Sequence, residues 1–137
     1  MAIPNGNAAE LQTYKLTAAQ KNAVDQIKSL VGPRGYVSKM DEMEPHLVDW
    51  RGVYRGNAEL VCYPINTKEV SDIVKICSAA MMPIVPQGGN TSMCGGSVPL
   101  KNSASIILNL SRMNKIRYLD KNNYTMTVEA GCVLQKL

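Results

Sequence analysis

The chain has 137 residues, 45% of them hydrophobic and 19% charged, with a net charge of +4. That length suits one domain, and the balance excludes a disordered or collagen-like chain. No run approaches the roughly 18 apolar residues of a membrane span. The start, Met1-Ala2-Ile3-Pro4-Asn5-Gly6, lacks the basic and apolar regions of a secretory signal, so a cytoplasmic location is expected.

Residues 1–16 are polar and aperiodic and read as a loose arm. Thr17-Ala18-Ala19-Gln20 fits a capping box, in which hydroxyl and carboxamide each satisfy an orphan backbone amide. Ala23, Val24, Ile27, Leu30 and Val31 follow on one helical face, and Gly32-Pro33 ends the helix. Residues 33–57, with Pro45, Gly52, Gly56 and the only Trp, read as a turn-rich connection across the surface. Within it His46 reads as a surface histidine, Trp50 as a packing anchor, and Asp41, Glu42 and Glu44 as a solvated acidic cluster. The expected organisation is therefore an arm with one helix over residues 1–57 and a regular domain over 58–137.

From residue 59 the pattern becomes regular. Glu59–Tyr63 is a short strand ended by Pro64, and Thr67 is placed to cap a helix with the apolar stripe Val70, Ile73, Val74, Cys77 and Met81. Pro83-Ile84-Val85-Pro86 is a strand with prolines at its ends. Ala104–Asn109 is apolar enough to be buried on both faces. Ile116–Leu119, a turn at residues 120–123, and Tyr124–Glu129 follow, the last alternating as a strand with unlike faces. Strand, helix, strand in this order predicts an α+β fold with at least one parallel pair.

Cys62, Cys77, Cys94 and Cys132 form no close pairs, so no metal site is expected and the cysteines read as small packing residues. The basic stretch Lys101–Lys121 carries only Tyr118 as an aromatic, which argues for a solvated face and against nucleic acid. The chemistry concentrates in residues 86–99, which hold four of the ten glycines and no charge. Paired glycines let backbone amides converge without Cβ atoms between them, making a nest for an anion. Thr91, Ser92, Ser97 and the Asn90 carboxamide add short donors. Each hydrogen bond to a charged oxygen contributes about 1.5–3 kcal/mol, so several can hold a diphosphate without Lys or Arg. The Walker A loop is excluded by the missing lysine, and the dinucleotide fingerprint by the glycine spacing and the strand that follows. On the residues alone, a glycine-rich surface loop without ligand stays open as the alternative.

Pro86-Gln87-Gly88-Gly89-Asn90-Thr91 with Gly95-Gly96-Ser97-Val98-Pro99 resembles the pyrophosphate loop of FAD-dependent oxidoreductases of the vanillyl-alcohol oxidase/p-cresol methylhydroxylase type. The branch it is most similar to is that of D-2-hydroxyglutarate and D-lactate dehydrogenases and the glycolate oxidase FAD subunit. Asp49-Trp50-Arg51-Gly52, Tyr54-Arg55-Gly56, Tyr63-Pro64, Thr67-Lys68-Glu69-Val70 and Val128-Glu129-Ala130-Gly131-Cys132 extend the likeness over residues 40–137. The resemblance implies the N-terminal half of such an FAD-binding domain, a small sheet with flanking helices. It also implies an FAD site at Pro86, Gly88, Gly89, Asn90, Thr91, Ser92, Gly95, Gly96 and Ser97, with Pro64 near the adenine and Gly131 near the flavin. Relatives with covalent flavin carry histidine where this chain has Asn90, which implies non-covalent FAD. Ser92 stands where relatives often carry Gly, and Cys94 where they carry an aliphatic.

The implied activity is oxidation of a small 2-hydroxy acid by hydride transfer to flavin, with the electron acceptor and oligomeric state left open. The family's catalytic and metal residues lie in a later domain, so no catalytic residue is expected here. A sister flavoprotein with different chemistry and a non-catalytic nucleotide-binding module are the alternatives.

Overall fold

A computed structural model describes residues 14–137. Helix α1 (Ala18–Val31) opens on the expected capping box, with Gln20 N donating to Thr17 Oγ1 at 3.2 Å and Thr17 N to Gln20 Oε1 at 3.0 Å. It ends at Gly32, whose φ of 69° suits the residue that needs no Cβ there. Ahead of α1, Tyr14 and Leu16 pack on the core, and the Tyr14 hydroxyl donates to Glu59 at 2.9 Å. The loose-arm reading therefore fails at its last residues, while residues 1–13 lie outside those described.

Strands β1 (Tyr36–Val37), β2 (Leu60–Cys62), β3 (Ile84–Gln87) and β4 (Ile106–Asn109) form one sheet in the order β1-β2-β4-β3. β2 and β3 both run parallel to β4, and β1 is antiparallel to β2. Side-chain alternation sorts the core into two layers. Leu60, Cys62, Ile106 and Leu108 meet Ile27 of α1 and Ile73 and Cys77 of α3 (Thr67–Ala79). Val61 and Ile107 meet Met43 and Leu47 of α2 (Met40–Leu47) on the opposite face. Helices on both sides explain why Ile106, Ile107 and Leu108 of β4 are apolar and buried.

Helix α2 and strand β1 replace the surface connection expected over residues 33–57. Met43 and Leu47, four residues apart, bury together, and Asp41 and Glu42 stand in the first turn, where the helix dipole favours carboxylates. The acidic cluster is only partly solvated, because the Glu44 carboxylate pairs with Arg55 through two hydrogen bonds, one of them 2.7 Å. Helix α3 is capped by Asn66, whose Oδ1 accepts from Glu69 N at 2.8 Å, and not by Thr67. Val74 and Met81 of the expected stripe face solvent. Pro86 sits inside β3, an edge strand; Ile106 N bonds Pro83 O and Leu110 N bonds Gln87 O, so the ladder uses odd positions and the missing N–H falls on the open side.

Strands β5 (Ile116–Asp120) and β6 (Thr125–Val128) pair as an antiparallel hairpin around the expected turn, with the Asn122 and Asn123 amides bonded to Asp120. Of the alternating apolar residues there, Tyr124 is 95% exposed and Met126 40%, while Val128 is half-buried.

Candidate functional site

Two parallel neighbours need a long crossover, and β3 reaches β4 through residues 88–105 without a helix. The loop leaves the carboxyl end of β3, the side of such sheets where ligands bind. Among the described residues, the backbone amides of Gly88, Gly89, Asn90, Thr91 and Ser92 donate to no protein acceptor.

The glycines divide by what surrounds them. A Cβ on Gly88 meets nothing within 4 Å, and one on Gly89 meets only Thr91 Cγ2 at 3.9 Å. Neither has a left-handed φ, so the fold itself has no need of glycine at either place. Gly96 is equally free, with Ser92 Oγ at 3.7 Å. Gly95 is different: its φ is 73° and a Cβ there lies 2.7 Å from the Tyr54 ring. A Cβ on Gly131 falls 1.8 Å from Leu110 O. That glycine answers to chain packing, and so does Gly95.

Three of the loop's polar side chains bond within the protein. Asn90, with φ 54°, donates to the carbonyls of Val48 at 2.6 Å and Pro45 at 3.2 Å, capping the end of α2. Ser97 is buried and donates to Asn90 Oδ1 at 2.8 Å, and Ser92 Oγ accepts from Gly96 N at 3.2 Å. The donors of Asn90 and Ser97, expected to face an anion, are spent on shaping the loop, and Ser92 supports it as an acceptor. Pro64 is buried in the core, whereas Pro86 and Thr91 are exposed. Cys94 is exposed, which corrects its reading as a packing residue.

The segment before β2 grips the same loop. Arg51 donates to Met93 O, Asn57 Nδ2 donates to Lys101 O at 2.7 Å, and Gly56 lies so close to Pro99 that a Cβ there falls 1.7 Å from its carbonyl oxygen. Asp49 is buried and accepts from Val53 N at 2.7 Å and Tyr54 N at 2.8 Å through one oxygen; its other oxygen faces Arg51 Nε at 3.5 Å. Burial pushes the Asp49 carboxyl up, but the Tyr54 and Val53 amides with Arg51 outweigh it and hold it below the ordinary carboxylate value. A cleft of about 550 Å³ opens beside Gly89 and Asn90, walled by α2, Asp49, Trp50 and Arg55. Trp50 is 60% exposed there, so it is not the packing anchor expected. His46 is no surface histidine either: half-buried, it contacts Gln87 Oε1 at 2.5 Å and the Tyr63 hydroxyl at 2.8 Å. Sequence reasoning missed Gln87, His46 and Asn109 as parts of this site, because their partners lie 22 and 41 residues away along the chain.

The sequence profile described as FAD binding domain matches residues 58–137. Among curated proteins, D-2-hydroxyglutarate dehydrogenase, mitochondrial, of Arabidopsis thaliana is 38% identical over 114 residues, covering 83% of this chain and 20% of that protein. Glycolate oxidase subunit GlcD of Bacillus subtilis is 32% identical over 113 residues, covering 82% of this chain and 24% of the relative. The chain thus spans about a fifth to a quarter of the length of these relatives. Among solved structures, an alkyldihydroxyacetonephosphate synthase superposes with a TM-score of 0.74 at 20% identity, over 93% of this chain and 26% of the other. p-Cresol methylhydroxylase with substrate bound gives 0.68 at 22% identity, over 86% and 24%. These two likenesses establish the fold, and the α+β expectation holds. The cytoplasmic expectation does not: relatives from Arabidopsis thaliana, Bos taurus and Danio rerio are named mitochondrial.

Proposed function

The chain belongs to the FAD-binding-domain family, and from that premise we propose that it holds the FAD pyrophosphate within a mitochondrial FAD-dependent dehydrogenase of 2-hydroxy acids. The amides of Gly88, Gly89, Asn90 and Thr91 are the donors, with Ser92, Gly95, Gly96 and Ser97 forming the supporting half of the cradle.

One observation carries this reading. Gly88 and Gly89 have no left-handed φ and no crowding neighbour, yet their amides lack protein acceptors among the described residues. A glycine that the fold does not need, beside an amide that the fold does not use, fits a ligand approaching the backbone. A diphosphate suits the donor set: several neutral N–H groups satisfy anionic oxygens with no competing carboxylate in the loop. Bound FAD supplies the hydride-accepting chemistry, while the protein binds, orients and shields it. Asn90 cannot form the covalent flavin link of a histidine, so the cofactor is not covalently attached at that position. Asp49, Arg51 and Tyr54 contribute by bracing the loop at Met93 and Gly95.

The test is reconstitution. The purified full-length protein, stripped of flavin, is titrated with FAD, FMN and riboflavin while flavin fluorescence is followed, and the holoprotein is then mixed anaerobically with D-2-hydroxy acids. Tight binding of FAD over riboflavin and bleaching of the flavin absorption by a D-2-hydroxy acid are expected. A colourless protein that takes up no FAD would sink the proposal.

A further inference from the structure

The residue that holds the loop from behind precedes it. Gln87 is 2% exposed, and its carboxamide is fully engaged. Nε2 donates to His46 O at 3.0 Å and to Ser97 O at 2.9 Å. The atom facing His46 Nδ1 at 2.5 Å is therefore the oxygen. An amide oxygen only accepts, so His46 carries a proton on Nδ1 and presents Nε2 to the Tyr63 hydroxyl at 2.8 Å. Asn109 donates to the same Gln87 oxygen at 3.3 Å and to Gly88 O at 3.5 Å. One side chain thus joins α2, β4 and the far limb of the loop at the residue next to Gly88.

We propose that His46 is a positioning residue for the FAD pyrophosphate, acting through Gln87 and never touching the cofactor. Its Nδ1–H fixes the orientation of the Gln87 carboxamide, and that carboxamide fixes both limbs of the loop whose amides face outward. Without the imidazole, the Gln87 oxygen keeps only the longer bond from Asn109. The carboxamide, still tied through Nε2 to the His46 and Ser97 carbonyls, is then less firmly fixed, and the Gly88–Thr91 backbone it anchors loses part of its pre-orientation. The inference rests on the FAD reading of the loop.

The test separates positioning from plain stability. In the full-length protein, His46→Asn keeps a donor near the Nδ1 position, whereas His46→Gln reaches instead to where Nε2 stood. His46→Ala and His46→Gln are expected to weaken FAD binding about tenfold, the loss of roughly one hydrogen bond's worth of pre-orientation. His46→Asn is expected to stay within about threefold of wild type, and His46→Ala to add little to Gln87→Ala because His46 acts only through Gln87. Wild-type affinity in His46→Ala overturns the proposal. So does equal weakening in the Asn and Gln variants, in step with their melting temperatures. If the wild-type protein takes up no FAD, the underlying reading fails, and the inference with it. If wild type binds and every His46 variant binds as tightly, only the role of His46 is refuted.

Discussion

Replacing Gly89 by Ala should move stability and cofactor binding in opposite directions. In the protein alone the new methyl meets Thr91 Cγ2 at 3.9 Å, an ordinary contact, and the backbone at residue 89 lies outside the left-handed region. At a compatible position, Gly→Ala stabilises by about 0.4–1 kcal/mol, because the unfolded chain loses freedom. Binding responds differently, since the methyl enters the open space that the loop presents to the cofactor. If it displaces two amide–phosphate hydrogen bonds of about 1.5–3 kcal/mol each, the loss is about 3–6 kcal/mol, or roughly 10²- to 10⁴-fold in Kd. The assays are FAD titration by flavin fluorescence and thermal unfolding of the apoprotein. Gly95→Ala is the contrast: its φ of 73° and the Tyr54 ring at 2.7 Å predict loss of apoprotein stability. An unchanged Kd in Gly89→Ala, or a lowered apoprotein melting temperature, refutes the reasoning.

Three further outcomes are expected. The Asp49 carboxyl is held below its ordinary 3.8, so its stabilisation is complete above that value and disappears as pH falls through the lower native value. In denaturant melts, the stability gap between wild type and Asp49→Asn should therefore be constant near neutral pH and close in acid; a gap that widens in acid contradicts the assignment. In thiol labelling followed by mass spectrometry, exposed Cys94 should react first. Buried Cys62 and Cys77, pushed up to about 12 and about 11 by burial, should react only on unfolding. Bound FAD should slow Cys94, and labelling of native Cys62 as fast as Cys94 would exclude the core described above. Finally, the Kd ratio of Gly89→Ala to wild type should hold within about threefold as salt shortens the Debye length from about 30 Å to about 3 Å. Amides contribute through short hydrogen bonds, so a ratio that collapses in salt would mean that charged side chains share the task.

The central sheet was legible because β2, α3, β3 and β4 carry their own signals: short apolar runs, a 3.6-residue stripe and proline punctuation. Helix α2 was not. Only Met43 and Leu47 of its eight residues are buried, and its acids and Pro45 have the look of a turn. Asn66 displaced Thr67 as the cap because the Glu69 carboxylate also reaches back to Ile65 N, at 2.9 Å, closing the turn one residue earlier. The alternation of β6 predicted unlike faces, but alternation records only which residues share a side. What covers that side is a tertiary fact. In the loop, the pattern located the glycines and could not rank them. Gly88 and Gly95 are the same letter, and only the φ of 73° at Gly95 and its closeness to Tyr54 separate a packing glycine from a free one.

That ranking bears on how an uncharged loop can serve an anion at all. A lysine finds phosphate by charge and tolerates ångström errors, whereas an amide carries a small dipole and is useful only when correctly aimed. A site built from amides must therefore be fixed by something other than its ligand. Here the fixing groups stand behind the loop, in Gln87, Asn90 and Ser97, with the Asn90 carboxamide tied to the carboxyl end of α2 and that of Gln87 to His46. Asn90, Ser92 and Ser97, which first suggested anion binding, thus bond within the protein and set the geometry, and the proposed donors are the part of the chain that every sequence shares. The specificity of the motif lies in the spacing that lets one buried glutamine hold two limbs of a loop, so substitutions one layer behind the amides should alter cofactor affinity although they touch nothing that binds.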